Sequence, residues 1–414
     1  MISRPGSLAG LLALLIACGE PDTSSSAEPF TVADSAGVEV VTSIPPDDSA
    51  ALPFDVELEI GVQAGDPEYE FHDVGSIAVD GDGNVFVANR GTGTIRVFTA
   101  DGIFLHEFGG LGPGPGEFQS IDGIWIRADS LVVLDGRARR ATLFRLDGTL
   151  ETTWDLRRQD RTRVDIVAFG ESGLLVRQHM PSRRFDSSLP LFSLIRDTVQ
   201  YRILHTDTDS LGPVLGRQPT ERRIVGAEVH PVTPLFEPLT VDAFGPTGTR
   251  YTAGGGRYSI DVFDPSGRLV RRITRVVPPV PVTADHVAAL VERAGRGEMG
   301  TAVERAAEQE TVPAFAQVGR ILAAADGSLL VLRLDLADPV ELEYRAYFQP
   351  HQRAEQLIRS GATRWELYEP DGRYAGAVTV PARFSPRWFD GARVIGVSED
   401  EVGVQTIVVA RIRS

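Results

Sequence analysis

Seven histidines, fifty-seven carboxylates and one cysteine are the side chains from which this sequence could build a reactive centre. A zinc site needs three or more ligands brought together, and His-x-His or His-Glu-x-x-His spacing sets two of them on one strand or helix face. None of His72, His106, His179, His205, His230, His286 and His351 has such a neighbour. Asp80-x-Asp82-x-Asn84 has the spacing that opens a calcium loop, but the twelfth position is Gly91 where a bidentate Glu belongs. It reads as a hairpin turn. His205-x-Asp207-x-Asp209 would share one side of a strand, yet its Thr and Ser neighbours read as a loop. Gly170-Glu-Ser172-Gly173 lacks the Gly-x-Ser-x-Gly spacing of a nucleophile elbow.

Composition removes further chemistry. All 41 basic residues are arginine, so there is no Schiff-base lysine, no P-loop lysine and no Ser-x-x-Lys acylase. With Cys18 alone there is no intrachain disulfide and no Cys-ligated cluster. A formal charge of −16 speaks against a nucleic-acid partner, because phosphate binding needs a basic surface.

What remains must be positioned by the elements. Residues 1–17 read as a secretory signal: Arg4 precedes an apolar run from Leu8 to Ala17, too short to span a bilayer. Leu15-Ile16-Ala17-Cys18 resembles the bacterial lipobox, which implies cleavage before Cys18 and acylation of its thiol. Residues 18–36, small and polar, are expected to be a flexible tether. Gly19 stands where an Asp would suggest inner-membrane retention, so the expected location is the cell envelope, at the outer membrane.

Residues 37–414 carry a repeat. An apolar strand, a Gly/Asp/Ser turn and a second apolar strand recur at Ile77–Ala88, Ile124–Leu134, Val167–Arg177, Val241–Ala253, Ile321–Leu332 and Arg387–Val397. A second phrase, aromatic-x-x-Asp/Ser-Gly, follows at Phe98, Phe144, Phe263 and Tyr368, and its first two glycines lie 46 residues apart (148 − 102). That spacing suits a four-stranded blade, and blades bury their faces only by stacking around an axis. Six hairpins predict a six-bladed, all-β propeller. The last blade shows three strands, and Phe54–Ile60, alternating at period two, is expected to supply its fourth. Thr283 to Glu310 is the exception: an N-cap at Thr283 and apolar residues at helical spacing predict a helical insertion between blades 4 and 5. Its apolar stripe is expected to pack on the propeller side, with a lid or partner-binding arm as the second reading.

Gly109-Gly-Leu-Gly-Pro-Gly-Pro-Gly-Glu-Phe118, then Ile121-Asp-Gly-Ile124, and Val85 to Gly91 before Ile95 to Phe98, are similar to the phrases of NHL-repeat propellers, among them bacterial lipoproteins. The resemblance implies a fold and no reaction, since such propellers host lyases, lactonases and binding proteins alike. Ligands are expected at one mouth of the channel, beside the starts of the inner strands. The candidates there are His72 and Asp73, Gln119 and Asp122, Arg163 and Asp165, His230 and Glu237, Gln317 and Arg320, and Arg387. Propeller lactonases draw carboxylate and Asn ligands from several blades, whereas both asparagines here, Asn84 and Asn89, fall in blade 1.

The leading expectation is a monomeric, lipid-anchored binding module without a cofactor, taking an envelope protein, peptide or glycan. A sensor or assembly subunit of an envelope complex is a related reading. The alternative is a lyase or hydrolase holding Ca or Zn at the channel mouth, built on His72, Asp122, Asp165 and His230.

Overall fold

A computed structural model describes residues 30–44, 51–157, 163–170, 173–180, 193–225, 234–238, 240–308, 311–334, 340 and 364–413. Their strands form six sheets, each opening on an antiparallel hairpin at the expected place. The chain is a six-bladed β-propeller. Blade 1 runs Val74–Val79, Val85–Asn89, Thr94–Phe98 and Phe104–Gly109 from axis to rim, and the other blades repeat that order.

The aromatic-x-x-Asp/Ser-Gly phrase is the turn between the third and fourth strands. Gly102, Gly148, Gly267 and Gly372 all sit at φ between +80° and +87°, where a Cβ would be strained. Central strands are buried on both faces, as in Val85–Asn89 and Thr94–Phe98, because each blade is covered by a neighbour on either side.

The core is correspondingly divided into one apolar cluster per seam. Ile77, Val87, Ile395 and Ile407 join blades 1 and 6, and Phe86, Ile95, Ile124 and Phe144 join blades 1 and 2. Larger clusters also close the seams between blades 2 and 3, 4 and 5, and 5 and 6. Among the described residues, the seam between blades 3 and 4 has the fewest buried apolar side chains, Ala168, Leu175, Val199 and Tyr201. Polar groups supplement it. The Tyr201 hydroxyl donates to Asp242 at 2.6 Å, and Arg250 donates to Gln218 at 2.9 Å while stacking over the Phe263 ring. Burial and the Asp242 charge push the Tyr201 hydroxyl well above its ordinary value, so it remains a donor.

The N-terminal part of the chain binds the ring from outside. The tether expected over 18–36 gives way to strand at Phe30: β1 (Phe30–Ser35) pairs with β2 (Val38–Ser43). That is a correction: Thr31, Ala33 and Asp34 have tether composition and become strand by pairing in a hairpin with β2, which blade 4 in turn holds. Strand β2 lies parallel to the rim strand of blade 4, Leu269–Arg275, and β3 (Ala51–Leu52) lies parallel to that of blade 5, Tyr374–Thr379. Then β4 (Phe54–Ile60) pairs antiparallel with Gln405–Ile412 and completes blade 6, as its alternation predicted. One segment therefore fastens three successive blades.

Helices α1 (Ala284–Ala294) and α2 (Glu298–Ala307) follow blade 4 in the chain. Thr283 caps α1 through a reciprocal pair with His286, and Gly295 and Gly297, both at positive φ, break the two helices apart. Leu290, Val303 and Ala306 pack on Leu235, Phe236 and Phe315, so the apolar stripe is buried against the segments before blade 4 and before blade 5.

Candidate functional site

Every inner strand runs from one face of the ring to the hairpin turns on the other. The second halves of all six, with their turns, enclose an open channel of about 800 Å³. Its wall includes Ser76, Trp125, Phe169, Asp242, Phe244, Arg387 and Trp388. Such a volume, with aromatic walls and a few polar groups, is that of a small-ligand site. A second cleft of about 540 Å³ lies beside the helical insertion, lined by Arg196, Glu237, Gly255, Gly256 and Val312 among others.

The described candidates lie ahead of the inner strands or in their first halves, so most sit toward the opposite face from the channel's turn-lined mouth. Arg387 alone of them lines that channel. Most of the other described candidates are bonded within loops and blades, through side chain or backbone. His72 is exposed, and its backbone N–H donates to the buried Asn89 at 2.8 Å. Asp73 pairs with Arg90 at 2.8 Å. The Gln119 backbone N–H donates to Asp135 at 2.9 Å, and Asp122 accepts from the Ser120 hydroxyl at 2.6 Å. Asn89 and Asp135, one repeat apart (135 − 89 = 46), thus make the same bond in blades 1 and 2. Arg320 donates to Ser385 at 3.4 Å across the seam of blades 5 and 6. Buried Gln317 donates to the Pro278 carbonyl at 3.1 Å. Glu237, 4% exposed, faces Arg196 at 3.4 Å in the second cleft. His230 lies outside the described residues, as do Cys18 and the Glu171-Ser172 turn.

Two candidates do meet. Arg163 and Asp165 are 2.9 Å apart at the start of the blade 3 inner strand, and His179 Nε2 reaches the same carboxylate at 2.7 Å, with Arg177 at 3.6 Å. Burial alone would raise the Asp165 carboxyl. The His179 hydrogen bond and the Arg163 charge outweigh it and hold the carboxyl down to about 2. A carboxylate so strongly ionised cannot serve as a general acid near neutrality; it anchors two arginines and a histidine.

Among the described residues, no three His, Cys, Asp or Glu side chains converge to hold a metal. Asp80 Oδ1 accepts from the backbone N–H groups of Asp82 and Asn84 at 2.9 and 2.8 Å, which is the hairpin turn its sequence suggested. Likewise, no helix among them is long and apolar enough to cross a membrane. Residue spacing missed Trp125, Phe169 and Trp388 of the channel wall. The available signal was an aromatic side chain late in an inner strand rather than a polar one ahead of it.

Against known proteins, the model of family DUF5128, described as a 6-bladed beta-propeller, matches residues 66–168. No curated protein matches the chain. Among solved structures, a candidate exported protein of Bacteroides fragilis is 10% identical at a TM-score of 0.49, the match covering 91% of this chain and all of that one. A DUF4221 family member from Bacteroides vulgatus is 8% identical at 0.48, covering 88% of this chain and 99% of its own. Catalytically inactive virginiamycin B lyase of Staphylococcus aureus, with quinupristin, is 12% identical at 0.38, covering 87% of this chain and all of its own.

Proposed function

We propose that the protein is a lipid-anchored, extracytoplasmic propeller of the NHL-repeat type that acts as a binding module. The observation that carries the binding reading is the division of labour around the axis. The described polar candidates at the strand starts are mostly bonded within the fold, while the turn face opens into a channel of about 800 Å³ with Trp125 and Trp388 in its wall. Aromatic faces beside the exposed backbone edges of inner strands suit a peptide or a glycan, which present both apolar faces and hydrogen-bonding groups. No cofactor is needed for such a site. The anchor reading is supported by the lipobox at Leu15–Cys18, with membrane attachment at the outer membrane.

Two measurements test the two halves of this reading. Purified mature chain is titrated with periplasmic oligopeptides and with peptidoglycan fragments while tryptophan emission is followed. The expected result is a saturable change that disappears in the Trp125→Phe, Trp388→Phe double variant, leaving Trp154 and Trp365 as silent reporters. A change that persists in that variant, or a stoichiometric channel metal in the purified protein, overturns the binding reading. Mass spectrometry of the N-terminal peptide is expected to find acylated Cys18, and Cys18→Ser to release the protein from membranes; an unmodified Cys18 refutes the anchor.

A further inference from the structure

The rim of blade 4 carries an apolar surface with no evident place in the core. Val276-Val-Pro-Pro-Val-Pro281, directly after the rim strand, is a run of six apolar residues without a charged or hydrogen-bonding side chain, and all but Val277 are exposed. Val276 is 57% exposed and Val280 50%. Ile44, 44% exposed, lies beside Val276, because the paired register of Ser43 with Arg275 puts the next residues of each strand side by side.

These side chains are held outward by a fixed backbone. The Val276 N–H donates to the Ser43 carbonyl at 3.1 Å, the Phe315 N–H to the Val280 carbonyl at 3.0 Å, and Gln317 to Pro278 at 3.1 Å. A rigid, exposed apolar strip of this kind marks a contact surface.

Its position says what covers it. Phe30, where the described chain begins, pairs with Ser43, one residue from Ile44. Cys18 precedes Phe30 by twelve residues (30 − 18). Twelve residues, even fully extended, cannot span more than about 40 Å. An acyl chain on Cys18 therefore keeps this strip within reach of the bilayer at all times. Among the described residues, Ile103 and Leu105 are an exposed apolar pair at the rim of blade 1, across the ring from Phe30.

We propose that the Ile44, Val276 and Val280 strip is the surface on which the anchored propeller rests against its own bilayer. The proposal rests on the lipid-anchor reading and adds an orientation to it. The tether holds the protein at high effective concentration, so a strip too weak to bind vesicles by itself suffices. The strip lies at the face where rim strands end, so docking turns the channel's turn-lined mouth toward the aqueous phase.

The test uses the sole cysteine. Mature chain is coupled through Cys18 to maleimide-bearing phosphatidylethanolamine in vesicles of phosphatidylethanolamine and phosphatidylglycerol, which makes the outcome independent of acylation in the cell. Brominated lipids then quench any tryptophan in contact with the bilayer. Val280→Trp is expected to lose at least half its added emission, Val276→Trp to behave alike, and Ile103→Trp to lose none. Uncoupled Cys18→Ser protein is expected to stay off the vesicles. Equal quenching at blades 1 and 4, or quenching at neither, overturns the proposal. Shielding of V280W from acrylamide that grows with protein density, without quenching by bromolipid, assigns the strip to a second copy and overturns it as well.

Discussion

Replacing Asp165 by Asn tests whether the cation-ringed carboxylate of blade 3 works through its charge. The side chain is 19% exposed, and its carboxyl sits at about 2 in the fold against an ordinary 3.8. At 1.36 kcal/mol per pH unit, that difference is worth roughly 2.5 kcal/mol of folding stability. The sign follows from depression of the folded-state value. The stability is fully present above the unfolded carboxyl's range and is lost as pH falls through about 2. At pH 3 about half of it remains, roughly 1.3 kcal/mol by the same linkage. Urea unfolding of the parent and of Asp165→Asn at pH 7, 5 and 3 reads the difference directly. The expected gap is about 2.5 kcal/mol at the two higher values and about half that at pH 3. The partners Arg163 and His179 are 67% and 34% exposed in their side chains, so the variant strands no buried charge and the loss should not exceed this figure. A gap that is constant with pH would mean that packing, not charge, is what the asparagine removes, and would refute the reasoning.

Two further perturbations follow from the seams and the closure. Arg275 and Glu366 are fully buried partners between blades 4 and 5, with Tyr368 donating to the same carboxylate at 3.1 Å, so Glu366→Gln removes the negative charge that faces a buried guanidinium. The expected cost is about 3–5 kcal/mol, which lowers the melting temperature by roughly 5 °C at typical unfolding entropies for a chain of this length; joint replacement by Arg275→Met and Glu366→Leu should recover most of it, as calorimetry would show. Truncation through Ile60 removes β4 and leaves Gln405–Ile412 as an open edge; sedimentation velocity is expected to show larger assemblies than the parent chain forms.

The parts of the fold that were legible in sequence are those with local causes. The four turn glycines announce themselves because only glycine takes positive φ at little strain, and β4 because its alternation matches a half-buried strand. Blade 3 was thin in sequence for a physical reason. Its outer strand, Gly216–Val225, carries Arg217, Glu221, Arg222 and Arg223, and the adjoining seam relies on the Tyr201, Gln218, Asp242 and Arg250 contacts in place of an apolar pattern. Strands β2 and β3 were illegible because their blade partners lie hundreds of residues away, and β1 follows β2: Tyr374 donates to Ser43 across 331 positions. The site was legible least. Residue spacing found Arg387 and the Asp165 cluster, but which end of an inner strand meets the open mouth depends on strand direction around the whole ring.

The belt that β2, β3 and β4 form on blades 4, 5 and 6 also sets the order in which this chain can become native. Strands β2, β3 and β4 find their blade partners only after the strands at Leu269–Arg275, Tyr374–Thr379 and Gln405–Ile412 exist. Arg411 and Glu57, joined at 2.6 Å, are 354 positions apart. Closing so long a loop is slow, and nothing before it locks the ring. The first segment made is therefore the last to be placed, and a chain emerging from synthesis or translocation waits with its leading end loose until its final strand arrives.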